Sequence, residues 1–197
     1  MIDSLSKGER TSQAILEAAY TLFIEQGYHA TSMRQIAQRA GISLAGIYTH
    51  FSGKEQIFDK VLIEKHPYRQ VLQVLQSTPG ETVEEFVHNA ARAVIAELGK
   101  RPDFLRLAFI EFIEFEGKHA PLLFQTIFPH FLPLWQRFAS PPNRLRELPP
   151  QAIFLSFLGM FFAYYVTSAI FHSHDAESKT PLSIDQYVDI FMHGILR

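Results

Sequence analysis

The chain has 197 residues, 47% of them hydrophobic and 13% aromatic, and a formal net charge of −2. That length is enough for one or two small domains with a real core. The absence of cysteine excludes disulfides and thiolate metal sites, and a charge so close to neutral gives no argument of its own for a nucleic-acid partner.

The N-terminal MIDSLSKGER contains no apolar stretch, so no secretory leader is expected. Ser6 and Glu9, three apart, predict a capping box. The helix it opens should run to about Gln26, with Ile15, Ala18, Ala19, Leu22 and Phe23 as its apolar stripe and Gly27 as its stop. Thr31 is expected to cap a second helix, its hydroxyl accepting from a free backbone N–H. Met33, Ile36, Ala37 and Ala40 recur there at helical spacing. Gly41 stops that helix, since glycine takes a left-handed conformation without steric cost. Ile42 fills the turn, and Ser43 caps a short third helix from Leu44 to about His50. Ile47 and Phe51, four apart, point inward. Leu44, Ala45, Gly46, Tyr48, Thr49 and His50 are left to face outward. Two short helices on a tight turn, the second offered outward, make the helix-turn-helix geometry that enters a DNA major groove. Residues 26–54 hold Arg34, Arg39 and Lys54 and no Asp or Glu, as the approach of phosphate requires.

Ser52-Gly53-Lys54-Glu55 predicts another capping box, opening a helix with Ile57, Phe58, Val61 and Leu62 on one face. Lys54 in its first turn, beside free N–H groups, is placed to hold a phosphate. Pro67 should kink or break this helix, and the pattern resumes with Tyr68, Val71, Leu72 and Leu75. Further helices are expected over Thr82 to Leu98, from Pro102 to Gly117, and from Pro121 onward, the last bent or split at Pro129 and Pro133. Residues 140–150 form a proline-rich loop. Residues 152–171 then carry no charge and are long enough to cross a membrane. Ser156, Tyr164, Tyr165, Thr167 and Ser168 moderate that apolarity. A helix apolar all round is buried all round, which a dimer would explain, with Gly159 and Ala163 allowing close helix approach. Ser183 to Gln186 caps a last helix with Ile184, Tyr187, Val188, Phe191 and Ile195 on one face.

The run from Ala18 to Leu62 resembles the DNA-binding domain of the tetracycline-repressor (TetR) family of transcriptional regulators. The resemblance is carried by Leu22, Phe23, Gly27 and Tyr28; by Thr31, Ser32, Arg34, Ile36, Ala37, Ala40 and Gly41; and by Ser43, Ile47, Tyr48, His50, Phe51 and Lys54. The chain departs from the family pattern at Leu44, often polar or basic there, and at Ala45-Gly46, where Gly-Thr is commoner. Those departures leave the operator sequence open.

The resemblance implies an all-α fold. A three-helix helix-turn-helix domain over 1–53 would precede a helical effector-binding and dimerisation domain over 54–197, with 54–76 as a linking helix kinked near Pro67. It implies a cytoplasmic regulator of transcription, in most relatives a repressor relieved by ligand. The partners would be a palindromic double-stranded DNA operator, a small effector, and a second copy docked through the last two helices. No enzyme activity, cofactor, metal or membrane attachment is expected. Thr31, Ser32, Arg34, Ser43, Tyr48, His50 and Lys54 match family positions that touch sugar and phosphate, contacts that set register rather than sequence. Leu44, Ala45, Gly46 and Thr49 are best placed for base edges. Phe104, Phe109, Phe112, Phe128, Trp135, Phe157, Phe161 and Tyr165 predict an apolar pocket for an apolar or aromatic effector. Glu111 and Glu114 either face water or, if turned inward, select a cationic or hydrogen-bonding ligand. Two other readings stay open. One is an enzyme using Glu111, Glu114 or the histidines at 119, 130, 172 and 174, against which stands the lack of any catalytic signature or four-ligand zinc spacing. The other is a membrane-attached sensor built on residues 152–171.

Overall fold

The computed structural model describes residues 6–136, 146–172 and 183–195, without the side chains of Pro102, Trp135, residues 169–172 and Ile195. The described residues form ten helices and no strand: α1 (Lys7–Gln26), α2 (Met33–Arg39), α3 (Leu44–Tyr48), α4 (Lys54–Lys65), α5 (Tyr68–Ser77), α6 (Val83–Gly99), α7 (Pro102–Glu114), α8 (Ala120–Gln136), α9 (Pro150–His172) and α10 (Ile184–Ile195). The all-α expectation holds. The helices fall into two compact units, one made of the residues up to Pro67 with Arg101–Leu123, the other of Tyr68–Lys100 with Phe124 onward. The boundary expected after residue 53 therefore differs from the division by contacts. Ile57, Phe58, Val61 and Leu62 of α4, and Leu107 of α7, belong to the same core as α1 to α3.

In the first unit, α1 opens on the expected capping box of Ser6 and Glu9. Its stripe of Ile15, Leu16, Ala18, Ala19, Leu22 and Phe23 is buried. The end of α2 is a Schellman turn: Ile42 N–H donates to Ala37 O at 3.0 Å and Gly41 N–H to Gln38 O at 3.2 Å, with Gly41 at φ 70°. Ser43 caps α3 by accepting from Gly46 N–H at 3.0 Å. Ile47 and Phe51 are buried as expected. Full burial of Phe23, Phe58 and Ile47 contributes roughly 1.5–3 kcal/mol apiece to this small core.

Two caps differ from expectation. Ser32, not Thr31, caps α2, in a reciprocal box with Gln35; the Thr31 hydroxyl is already donating to Gly27 O at 2.8 Å. Gly53 caps α4 without a side-chain bond, because the Ser52 amide and hydroxyl both turn to Gln56 Oε1, at 2.7 and 3.1 Å. At Pro67 the chain breaks rather than kinks. His66 is extended, at φ −65° and ψ 127°, as the residue before a proline prefers, and the two units divide there.

In the second unit, Thr82 caps α6, accepting from Glu85 N–H. Val83, Phe86, Val87, Ala90, Ala91 and Val94 of α6 meet Phe157, Met160 and Phe161 of α9 and Ile184, Val188 and Met192 of α10 in one core. His88 and Arg92 fasten α10: His88 lies 3.2 Å from Asp185 and 3.3 Å from Asp189, and Arg92 Nε lies 2.9 Å from Asp185. Of the two outcomes expected for α8, bent or split, the split does not occur; the helix runs through Pro129 and Pro133. The two prolines are four apart and exposed, so the carbonyls that lose their N–H partners lie along one wet edge.

Candidate nucleic-acid interface

The first unit presents α3 outward. Tyr48 is 53% exposed and Leu44 39%, whereas Ile47 between them is fully buried. Ala45 and Thr49 are exposed, and Gly46 and His50 partly so. A Cβ at Gly46 would lie 3.1 Å from the capping Ser43 hydroxyl, so glycine there keeps the outer surface of α3 low as well as its cap intact. The Thr49 hydroxyl donates to Gly46 O at 2.7 Å, leaving its lone pairs and methyl outward.

The expected phosphate set divides. Arg34 is exposed and makes no ion pair among the described residues. Ser32 and Ser43 are exposed but their hydroxyls cap helices. Thr31 is a correction: it is 1% exposed, its hydroxyl donating to Gly27 O and accepting from Gln26 Nε2 at 3.2 Å. Lys54 is a second correction. Its ammonium turns inward, donating to Tyr28 O and Thr31 O, both at 2.6 Å, with the Tyr28 ring 4.1 Å away. Burial draws the Lys54 ammonium below its ordinary range, and Glu114 opposes that shift. Arg39, a basic residue of the acid-free window, is held two-pronged by Glu25 at 2.6 and 3.0 Å. That carboxylate stands one residue outside the acid-free window.

The residues that sequence reasoning missed lie in the turn between α1 and α2. Glu114 accepts from Tyr28 N–H at 3.0 Å and His29 N–H at 2.7 Å. Glu111, 3% exposed, accepts from the His119 N–H and faces its Nδ1, each at 2.6 Å. On the other ring nitrogen, Nε2 lies 2.9 Å from Asp59. Thus Glu111 and Glu114 neither face water nor select a ligand; both are taken up inside the first unit. No local signal could have found these pairs, since Glu114 is 86 residues from Tyr28 in the chain.

The aromatic set also divides. Phe104 packs edge-on to His66 in the first unit, where Phe109 and Phe112 are exposed, at 38% and 53%. Phe128, Phe157 and Phe161 are buried in the second unit. There the Tyr165 hydroxyl donates to Ile95 O at 3.4 Å, and burial pushes it up to about 12. The Trp135 side chain, and residues 173–175 of the histidine loop with the His172 side chain, lie outside the described set.

Residues 15–61 match the family described as bacterial regulatory proteins, tetR family. The chain is 28% identical over 120 residues to the uncharacterized HTH-type transcriptional regulator YvkB of Bacillus subtilis (strain 168), covering 61% of this chain and 57% of that one. It is 32% identical over 122 residues to the HTH-type transcriptional activator FasR of Mycolicibacterium smegmatis, covering 62% and 48%. The matched stretch thus spans about half the length of these curated relatives. A crystal structure of a TetR-family regulator from Mesorhizobium loti MAFF303099 shares the fold, with a TM-score of 0.65 at 20% identity over 98% of this chain and all of that one. The capped three-helix head, the outward α3 and these likenesses agree: residues 15–61 form the DNA-binding head of the tetR family of bacterial regulatory proteins.

Proposed function

We propose that this protein regulates transcription by binding double-stranded DNA as a homodimer, with α3 of each copy in a major groove. The observation that carries the reading is α3 itself: Ile47 is fully buried while Leu44, Ala45, Tyr48 and Thr49 stand outward on a capped, rigid turn. Leu44 and Ala45 suit thymine methyls, and Gly46 permits close backbone approach. Arg34, Ser32, Ser43, Tyr48 and His50 make up the proposed phosphate-facing set.

Pairing is supported by α9 and α10. Leu155, Leu158 and Phe162 are exposed at 54%, 45% and 43%, and Ile190 at 75%. Gly159 and Ala163 are exposed on the same side of α9, so two such helices can approach closely. The segment Pro150–Ser168 is long and apolar enough to cross a membrane by composition; a second copy covering this face accounts for the same apolarity without one. An apolar or aromatic small molecule is the proposed effector, held in the second unit near Phe128, Phe157, Phe161 and Tyr165. It acts by binding two spacings of the paired heads unequally, in the simplest case releasing a repressor. The enzyme reading draws no support from Glu111, Glu114 or His119, which are engaged with one another and with backbone.

Titration of labelled duplexes across salt concentrations tests the assignment. Arg34→Ala should weaken binding to every duplex alike and reduce the salt slope by about 1 per chain. Leu44→Ala should change the order of preference among duplexes. A uniform loss across the panel for Leu44→Ala contradicts the placement of α3 on base edges.

A further inference from the structure

The turn from Gly27 to Thr31 is held by two opposite charges from two different helices. The Glu114 carboxylate, at the end of α7, takes the N–H groups of Tyr28 and His29 at 3.0 and 2.7 Å. The Lys54 ammonium, in the first turn of α4, takes the carbonyls of Tyr28 and Thr31 at 2.6 Å each. Tyr28 therefore has its N–H on an anion and its C=O on a cation. Both charges sit badly in their own helices. A carboxylate in the last turn of a helix opposes the macrodipole, as does an ammonium in the first. Neither serves a helix end; both serve the turn. The backbone is shaped to admit them. Gly27 has φ 85° and ψ 168°, a region open almost only to glycine, and a Cβ there would stand 3.0 Å from Glu114 Oε1. Around the clamp, Tyr28 packs on Phe115 at 4.4 Å and on Phe58 at 5.4 Å, so α7, α4 and the turn share one aromatic cluster.

We infer that Glu114 and Lys54 are positioning residues for DNA recognition: together they fix the turn that sets α2 and α3 against α1, and neither contacts the duplex. The inference rests on the regulator reading above. It also opposes what charge alone predicts. Removing Glu114 deletes an anion beside a DNA-binding surface, which by electrostatics should tighten binding; loss of the clamp weakens it instead. Removing a phosphate-contacting lysine flattens the salt dependence; removing Lys54 leaves it unchanged.

The test uses the full chain with Glu114→Gln, Lys54→Met and the double variant. Glutamine keeps one acceptor oxygen, so the head stays folded, which thermal melting verifies. Amide hydrogen exchange on the protein alone is read at Tyr28 and His29, and affinity is read for a duplex selected with the wild-type protein and for an unrelated duplex, across salt. Both single variants should speed exchange at these amides and weaken selected-duplex binding by about tenfold, the size of one lost charged hydrogen bond. The double variant should be no worse than either alone, since both act on one turn. Affinity for the unrelated duplex and the salt slope should not move. Tighter or unchanged selected binding by Glu114→Gln overturns the inference, as does a salt slope reduced by Lys54→Met. A wild-type protein that prefers no duplex defeats the regulator reading instead. In that case unchanged exchange at Tyr28 and His29 still overturns the clamp, and faster exchange upholds the geometric half of it.

Discussion

Individual side chains in the head do different work from what their types suggest. Three polar residues aligned with phosphate contacts, Thr31, Ser32 and Ser43, use their hydroxyls on the backbone of their own turns, and Lys54 uses its ammonium on carbonyls. A hydroxyl or ammonium meets the nearest unsatisfied peptide group before it meets a ligand. His66 shows the same priority from the acidic side. It closes α4, packs edge-on against Phe104, and loses hydration there, which lowers its imidazole from 6.5 to about 4. The folded state disfavours the protonated ring. Its stabilising effect is therefore complete above pH 6.5 and is lost as pH falls from 6.5 through about 4. Between pH 7 and pH 5 this one group should cost about 2 kcal/mol of unfolding free energy. Urea unfolding at the two pH values, with His66→Phe as the non-titrating reference, measures it; equal pH dependence in both proteins would place the ring in water.

The helices themselves were largely legible in the sequence. The periodic apolar stripes of α1, α4 and α6, the Ser6 and Ser43 caps and the Gly41 stop all come from neighbours within four residues, which a linear reading can see. Packing partners could not be read. Glu114 to Tyr28, Lys54 to Thr31 and Glu111 to His119 join helices through contacts that no local pattern encodes. Hence a linear reading groups α7 with the effector domain although its end is bonded to the head. Among the elements, α9 makes the sharpest prediction. Its exposed Leu155, Leu158 and Phe162 need a cover, and a charge in the middle of that face should prevent it. Leu158→Glu should turn a dimer into a monomer in sedimentation velocity while melting of the individual chain changes little. A variant that sediments as wild type would remove α9 from the interface.

For the molecule as a whole, the family likeness fixes the kind of fold more firmly than the kind of signal. The head matches the tetR family over residues 15–61, and both units follow a fold shared at 20% identity. Identity that low preserves which positions are apolar without preserving which ligand they surround. The residues proposed for base contact are equally local to this chain, because Leu44, Ala45 and Gly46 are its own departures from the family pattern. What the account requires of the whole particle is simpler: two outward α3 helices held on one duplex by a symmetric pair of chains. Selection of bound duplexes from a random pool, with the number of chains per duplex counted by sedimentation, tests this directly. The account predicts an inverted repeat whose half-sites lie about one helical turn apart, ~34–36 Å, bound by an even number of chains. No enrichment over the starting pool, or a single asymmetric site carrying one chain, would contradict it.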